Sequence, residues 1–144
     1  MTVHSRPTPL EQTLSNAVDL ESGSTYHIPV LREEVLTALV LKPGQTILDG
    51  TLGGGGHART ILERIGPTGQ VVGFDQDQSA IQYVTATLAP DYPEQLIVIH
   101  DNVRHVTNYT DTVHQLRQLD GALLDLGISA HQVVEPGRGF SFRQ

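Results

Sequence analysis

The stretch "ILDGTLGGGGHA", Ile47–Ala58, places five glycines within seven residues, directly after an apolar run that ends in an acid. Four consecutive glycines, Gly53 to Gly56, are entropically costly to order, so something needs bare backbone at that point. The residues before the loop, "TILD", read as a short buried strand. Those after it, "HARTILERI", place Ile61, Leu62 and Ile65 on one helical face. A strand-to-helix turn needs one or two glycines, not four. The loop therefore reads as the wall of a binding site, with Asp49 at its start.

Working outward, the same strand–acid punctuation recurs. "QVVGFD" ends in Asp75, "LIVIHD" in Asp101, and "GALLDLG" carries Asp125, at intervals of 26, 26 and 24 residues. The intervening segments predict helices: "QSAIQYVTATLA" aligns Ala80, Ile81, Val84 and Leu88, and "VHQLRQL" follows the pattern more weakly. Strand–helix–strand units of this length predict a parallel sheet, hence an α/β, Rossmann-like fold. The four segments share no sequence identity, so the periodicity is one of topology and not of an internal repeat. Upstream, "YHIPVLREEVLTALVLKPGQ" predicts a helix in which Leu31, Val35, Leu36, Leu39 and Val40 recur at helical spacing, stopped by "KPG". Residues 1–24 are polar and aperiodic and read as a disordered tail.

Aspartate is common where strands enter turns for purely local reasons. Here all four acids fall on the carboxyl edge, where open α/β sheets bind their ligands. Two ligand classes suit a glycine-rich first turn. Gly53-x-Gly55-x-x-Ala58 matches the dinucleotide fingerprint, with Asp75 about twenty residues on to hold a ribose. This would make the chain a NAD-binding module of an oxidoreductase. Alternatively, Asp49-x-x-x-Gly53-x-Gly55 is similar to the acid-led loop of methyltransferases that act on exocyclic amines with S-adenosylmethionine. A pyrophosphate is anionic and favours helix N-terminal amides with no carboxylate nearby. S-adenosylmethionine carries a sulfonium and an ammonium, which Asp49 and Asp125 would favour. No Gly-Lys-Ser/Thr follows the loop, which excludes a P-loop.

The 144 residues fit one domain, and the composition is 38% hydrophobic with no run long enough to span a membrane. The absence of Cys excludes disulfides and thiolate metal sites, and together with the lack of a signal peptide it predicts a cytoplasmic protein. Net charge is −7, with Lys42 the single lysine beside eight arginines. That sign argues against broad gripping of nucleic acid and against a DNA-binding role, and leaves RNA only a local site. Arg138 and Arg143, with no acid after Glu135, form a small basic end. His100, His105 and His114 match no common ligand spacing, so no metal is expected. His27, before Pro29, reads as structural, and nothing in the sequence fixes an oligomeric state.

Five motifs in order, "HIPVLREEVL", "DGTLGGGGHA", "GFDQD", "LLDLGIS" and "RGFSF", closely resemble the bacterial 16S rRNA cytosine-N4 methyltransferase family (RsmH/MraW) from Tyr26 to the last residue. The resemblance implies a class I fold, S-adenosyl-L-methionine as cofactor, and a decoding-region cytosine of the small ribosomal subunit as target. It carries cofactor contacts onto Gly55, Gly56, His57, Asp75, Asp125 and Gln132, beside the Asp49 and Gly53 already singled out. Where the family usually has Phe against the adenine, this chain has Val103; where it tends to have Ser-Ser-Pro-Gln, this chain has Ser129-Ala130-His131-Gln132. Asp125 is expected either to accept hydrogen bonds from the target amine or to bind the cofactor. The family's sheet order, 3-2-1-4-5-7-6, predicts that residues 25–144 form its cofactor-binding front half, truncated after the fourth strand. A helical insertion and three strands are then absent, strand four is an exposed edge, and turnover by this chain alone is not expected. A non-catalytic remnant that associates through that edge is the remaining alternative.

Overall fold

A computed structural model describes residues 32–127, with side chains from residue 33. The expected tail over residues 1–24, Leu31, Gln132 and "RGFSF" lie outside the described residues. Helix α1 (Arg32–Leu39) leads into β1 (Thr46–Asp49), the glycine loop and α2 (Gly56–Ile65). Then come β2 (Gln70–Asp75), α3 (Gln78–Thr87), β3 (Leu96–His100) and β4 (Gly121–Leu123). All strand pairs are parallel, in the order β3-β2-β1-β4, which matches the first four positions of the order that the family resemblance implies.

Strand residues alternate between two packed faces, as a period of two requires. Ile47 and Val71 join Leu36, Ile61, Leu62, Ile65 and Val84 on one face, beneath α1, α2 and α3. Leu48, Val72, Phe74 and Ile99 join Leu116 on the other. Burial on both faces explains why these strands read as continuous apolar runs. The buried face of α2 is the one its periodicity predicted, and Asp77, two residues beyond the acid that ends β2, caps α3 by accepting from the Ser79 amide at 2.9 Å.

Two expectations are corrected. No α-helix joins β3 to β4. Two 3₁₀ segments, Val103–Tyr109 and His114–Arg117, do so instead. The intervening chain is rich in Val, Thr and Asn, which are poor helix formers, and the Thr110 and Thr112 hydroxyls bond nearby backbone carbonyls. These segments still cover the second face, where the rings of Tyr109 and Phe74 meet edge to face at 5.5 Å.

The second correction concerns Val40, which is 63% exposed and not part of the inner face of α1. The helix ends at Leu39, ahead of "KPG", because Val40 takes a left-handed conformation with φ 48°. A β-branched residue is strained there. Val40→Gly is expected to raise stability by about 0.5–1 kcal/mol, relief of the strain outweighing the added freedom of the unfolded chain. Urea unfolding of the variant beside the parent checks this.

Candidate functional site

The site is assembled where β1, β2 and β4 end. Gly73 in β2 has no side chain because Leu52 crosses its face: a Cβ there would lie 2.7 Å from Leu52 Cδ1. Leu52 donates its amide to the Phe74 carbonyl at 2.9 Å, which lays the loop after β1 across the end of β2. The Gly53 amide then donates to Asp75 Oδ2 at 2.8 Å, while Asp75 Oδ1 accepts from the Asp77 amide at 2.8 Å. Asp75 therefore ties the glycine loop to the β2–α3 turn.

Within the loop, Gly53 and Gly55 have positive φ, 51° and 79°, whereas Gly54 and Gly56 do not. The turn accounts for two of the four glycines. Backbone conformation does not require the other two. Gly55 stands at the head of α2, and no side chain caps that helix. Its first amides carry the positive end of the helix dipole at the carboxyl edge.

Asp49 ends β1 with 1% exposure. Its Oδ1 accepts from the Thr51 amide at 3.1 Å, and its Oδ2 is buried with no hydrogen-bond partner. Burial pushes its carboxyl up to about 7, against the Thr51 hydrogen bond, and the charges of Asp75 and Asp125 push the same way. Asp49 is thus a buried carboxyl in the field of two other acids, with one oxygen that the protein leaves without a hydrogen bond.

Asp125 lies two residues beyond β4 with its side chain 65% exposed. Its amide donates to Thr51 Oγ1 at 2.7 Å, and its Oδ2 is 3.7 Å from His57 Nε2 on the first turn of α2. Val103 packs over the end of β1: a Cβ at Gly50 would lie 2.8 Å from Val103 Cγ2 and 2.3 Å from Leu124 Cδ2. The structure thus brings together Asp49, Gly53, Gly55, Gly56, His57, Asp75, Val103 and Asp125. Among the described residues no cluster of His, Cys, Asp or Glu suits a metal ion.

Asp101, the fourth acid on the rim, does not join them. Its carboxylate accepts from His105 Nδ1 at 2.9 Å, the Tyr109 hydroxyl at 2.8 Å and the Asn102 amide at 2.7 Å. Those three bonds hold it down to about 2, and they fasten the first 3₁₀ segment to β3. Thr51 and Leu52 were not singled out in the sequence; a threonine and a leucine in a loop carry no spacing signal.

Comparison with known proteins bears on this geometry. The model of the MraW methylase family matches residues 24–144. The ribosomal RNA small subunit methyltransferase H of Symbiobacterium thermophilum is 43% identical over 117 residues, covering 81% of this chain and 36% of the relative. The protein of that name from Bacteroides fragilis is 38% identical over 123 residues, covering 85% and 38%. The chain thus spans a little over a third of the length of these curated relatives. Among solved structures, a protein-L-isoaspartate O-methyltransferase aligns with TM-score 0.52 at 19% identity, covering 70% of this chain and 33% of that one. An S-adenosylmethionine-dependent O-methyltransferase from Thermotoga maritima aligns with TM-score 0.51 at 15% identity, covering 67% and 35%. At these identities the likeness is one of fold.

Proposed function

The chain belongs to the MraW methylase family, and from that premise we propose that it is the cofactor-binding part of an enzyme that methylates N4 of a cytosine in the decoding region of small-subunit 16S rRNA. The observation that carries the reading is the buried, unpartnered Oδ2 of Asp49 beneath a glycine loop with two glycines in excess of the turn's needs. The residues present fit S-adenosyl-L-methionine, which supplies an activated methyl group on a sulfonium.

Asp49 would accept from its ammonium, and the uncapped first turn of α2 would receive its carboxylate. Each Asp75 oxygen already accepts one backbone amide, which leaves a lone pair on each for ribose hydroxyls. Val103 would offer an apolar wall to the adenine, and His57 and Gln132 further contacts. NAD fits less well, because its pyrophosphate would face Asp49, Asp75 and Asp125 together.

Cytosine N4 is a poor nucleophile because its lone pair is conjugated into the ring. Asp125 and the carbonyls that follow it would accept from the amine as it pyramidalises, and hold it in line. The base must stand outside a stack, as in a single-stranded or flipped nucleotide. The −7 net charge supports a reading in which the main grip on RNA comes from residues other than these 144, and a small-subunit target would set the work in the cytoplasm, where ribosomal subunits mature.

The test joins this chain to the remaining length of the Symbiobacterium thermophilum relative. The joined protein is incubated with methyl-labelled S-adenosylmethionine and small subunits lacking the modification. Label in N4-methylcytidine is expected. Label on a ring carbon, or on protein only, would overturn the substrate assignment.

A further inference from the structure

We propose that Thr51 is a positioning residue that sets where Asp125 stands relative to the cofactor loop, an inference that rests on the reading of Asp125 as part of the site. The β1–β4 ladder ends at the pair Asp49↔Leu123. Its last backbone bond runs from the Gly50 amide to the Leu123 carbonyl at 2.9 Å. Beyond it the chain leaves the sheet, and Leu124 and Leu126, on either side of Asp125, are 52% and 77% exposed. Among the described residues Leu124 lies over Gly50, but the exposed Leu126 adds little packing beyond Asp125.

What fixes Asp125 is the short bond from its amide to Thr51 Oγ1, 2.7 Å. The same threonine gives its own amide to Asp49 Oδ1 at 3.1 Å. One residue of the loop thus spans the two acids, the buried one at the end of β1 and the exposed one beyond β4. His57, on the first turn of the helix that this loop enters, brings its Nε2 to 3.7 Å from Asp125 Oδ2, so among the described residues the polar contacts of Asp125 come from the loop and α2 and not from its own strand. A hydroxyl is needed at position 51, and a methyl in its place leaves the Asp125 amide without its acceptor.

The test compares Thr51→Val, which keeps the shape and deletes the hydroxyl, with Thr51→Ser, which keeps it. Hydrogen exchange of the Asp125 amide, followed by NMR on the 144-residue chain, is expected to quicken about tenfold in Thr51→Val and to return to within about threefold of the parent in Thr51→Ser. The amides of Leu62 and Val72 stay unchanged, which separates loss of the anchor from loss of the fold. In calorimetry, Thr51→Val is expected to weaken S-adenosylmethionine binding about tenfold, as for one lost hydrogen bond, but less than about twofold when Asp125 is already alanine. Equal exchange at Asp125 in the parent and Thr51→Val, or additive effects in the cycle, would overturn the proposal even with cofactor binding intact. Absence of cofactor binding with the exchange difference intact would instead overturn the cofactor reading and leave the anchor supported.

Discussion

Asp49→Asn is expected to stabilise the protein at pH 8 by about 2 kcal/mol, to leave it no more stable at pH 4, and to weaken S-adenosylmethionine binding about 100-fold. In the unfolded chain the Asp49 carboxyl loses its proton near 3.8, and in the folded protein near 7. Between those values the folded state holds a proton that the unfolded state has lost, so stability falls as pH rises. About three pH units of separation correspond to about 4 kcal/mol. The amide removes that dependence, offset in part by the cost of its own buried N–H groups. Asp101 works in the opposite direction: its carboxyl is held near 2, so its contribution is present above about 4 and lost as pH falls towards 2. Stability of the parent should therefore peak near pH 4 to 5 and decline to about pH 7, and Asp49→Asn should flatten that decline. Urea unfolding across pH 3 to 8 reads both effects. The gain in stability with loss of binding would mark Asp49 as a group strained for a ligand and not for the fold.

Gly55→Ala is expected to cost about 3 kcal/mol, and Gly53→Ala only about 1. Both positions have positive φ, so both carry the left-handed strain of a side chain. They differ in what a Cβ would meet. At Gly55 it would lie 2.8 Å from Leu88 Cδ2 and 3.3 Å from Val84 Cγ2, side chains that are 2% and 0% exposed and have no room to withdraw. At Gly53 the nearest atom is the Thr51 carbonyl oxygen at 3.8 Å, an ordinary contact. Denaturant unfolding of the two variants side by side isolates the packing term. Equal losses would mean that the seat of Gly55 against α3 does not constrain the loop.

The strands were legible because each is an apolar run closed by an acid, and burial on both faces leaves no polar residue inside the run to blur it. The parallel direction of the sheet followed from the length of the connections, whereas its order came with the family resemblance. The helix expected in "VHQLRQL" is instead a single 3₁₀ turn, His114–Arg117, after a stretch whose threonine hydroxyls bond nearby backbone carbonyls. The reading of Val40 failed because periodicity continued one residue beyond the point where the backbone turns left-handed. In the site, acids and glycines could be found by type and spacing. The division between Asp49 and Asp101 could not, because it depends on which acid finds donors: Asp101 meets His105, Tyr109 and the Asn102 amide, whereas Asp49 meets a single amide and two other acids. Thr51 stayed hidden because its role depends on the Asp125 amide, 74 residues away, reaching its hydroxyl.

The central claim is that the glycine loop and its carboxylates form a site for a cationic cofactor. Calorimetric titration of the 144-residue chain with S-adenosylmethionine, with NAD as the control, tests it most directly. Because a cation favours the ionised form of Asp49, saturable binding of S-adenosylmethionine is predicted, with proton release below about pH 7, tighter binding as pH rises to that point, and no binding of NAD. Saturable binding of NAD, or binding of neither by a chain that still melts cooperatively, would contradict it.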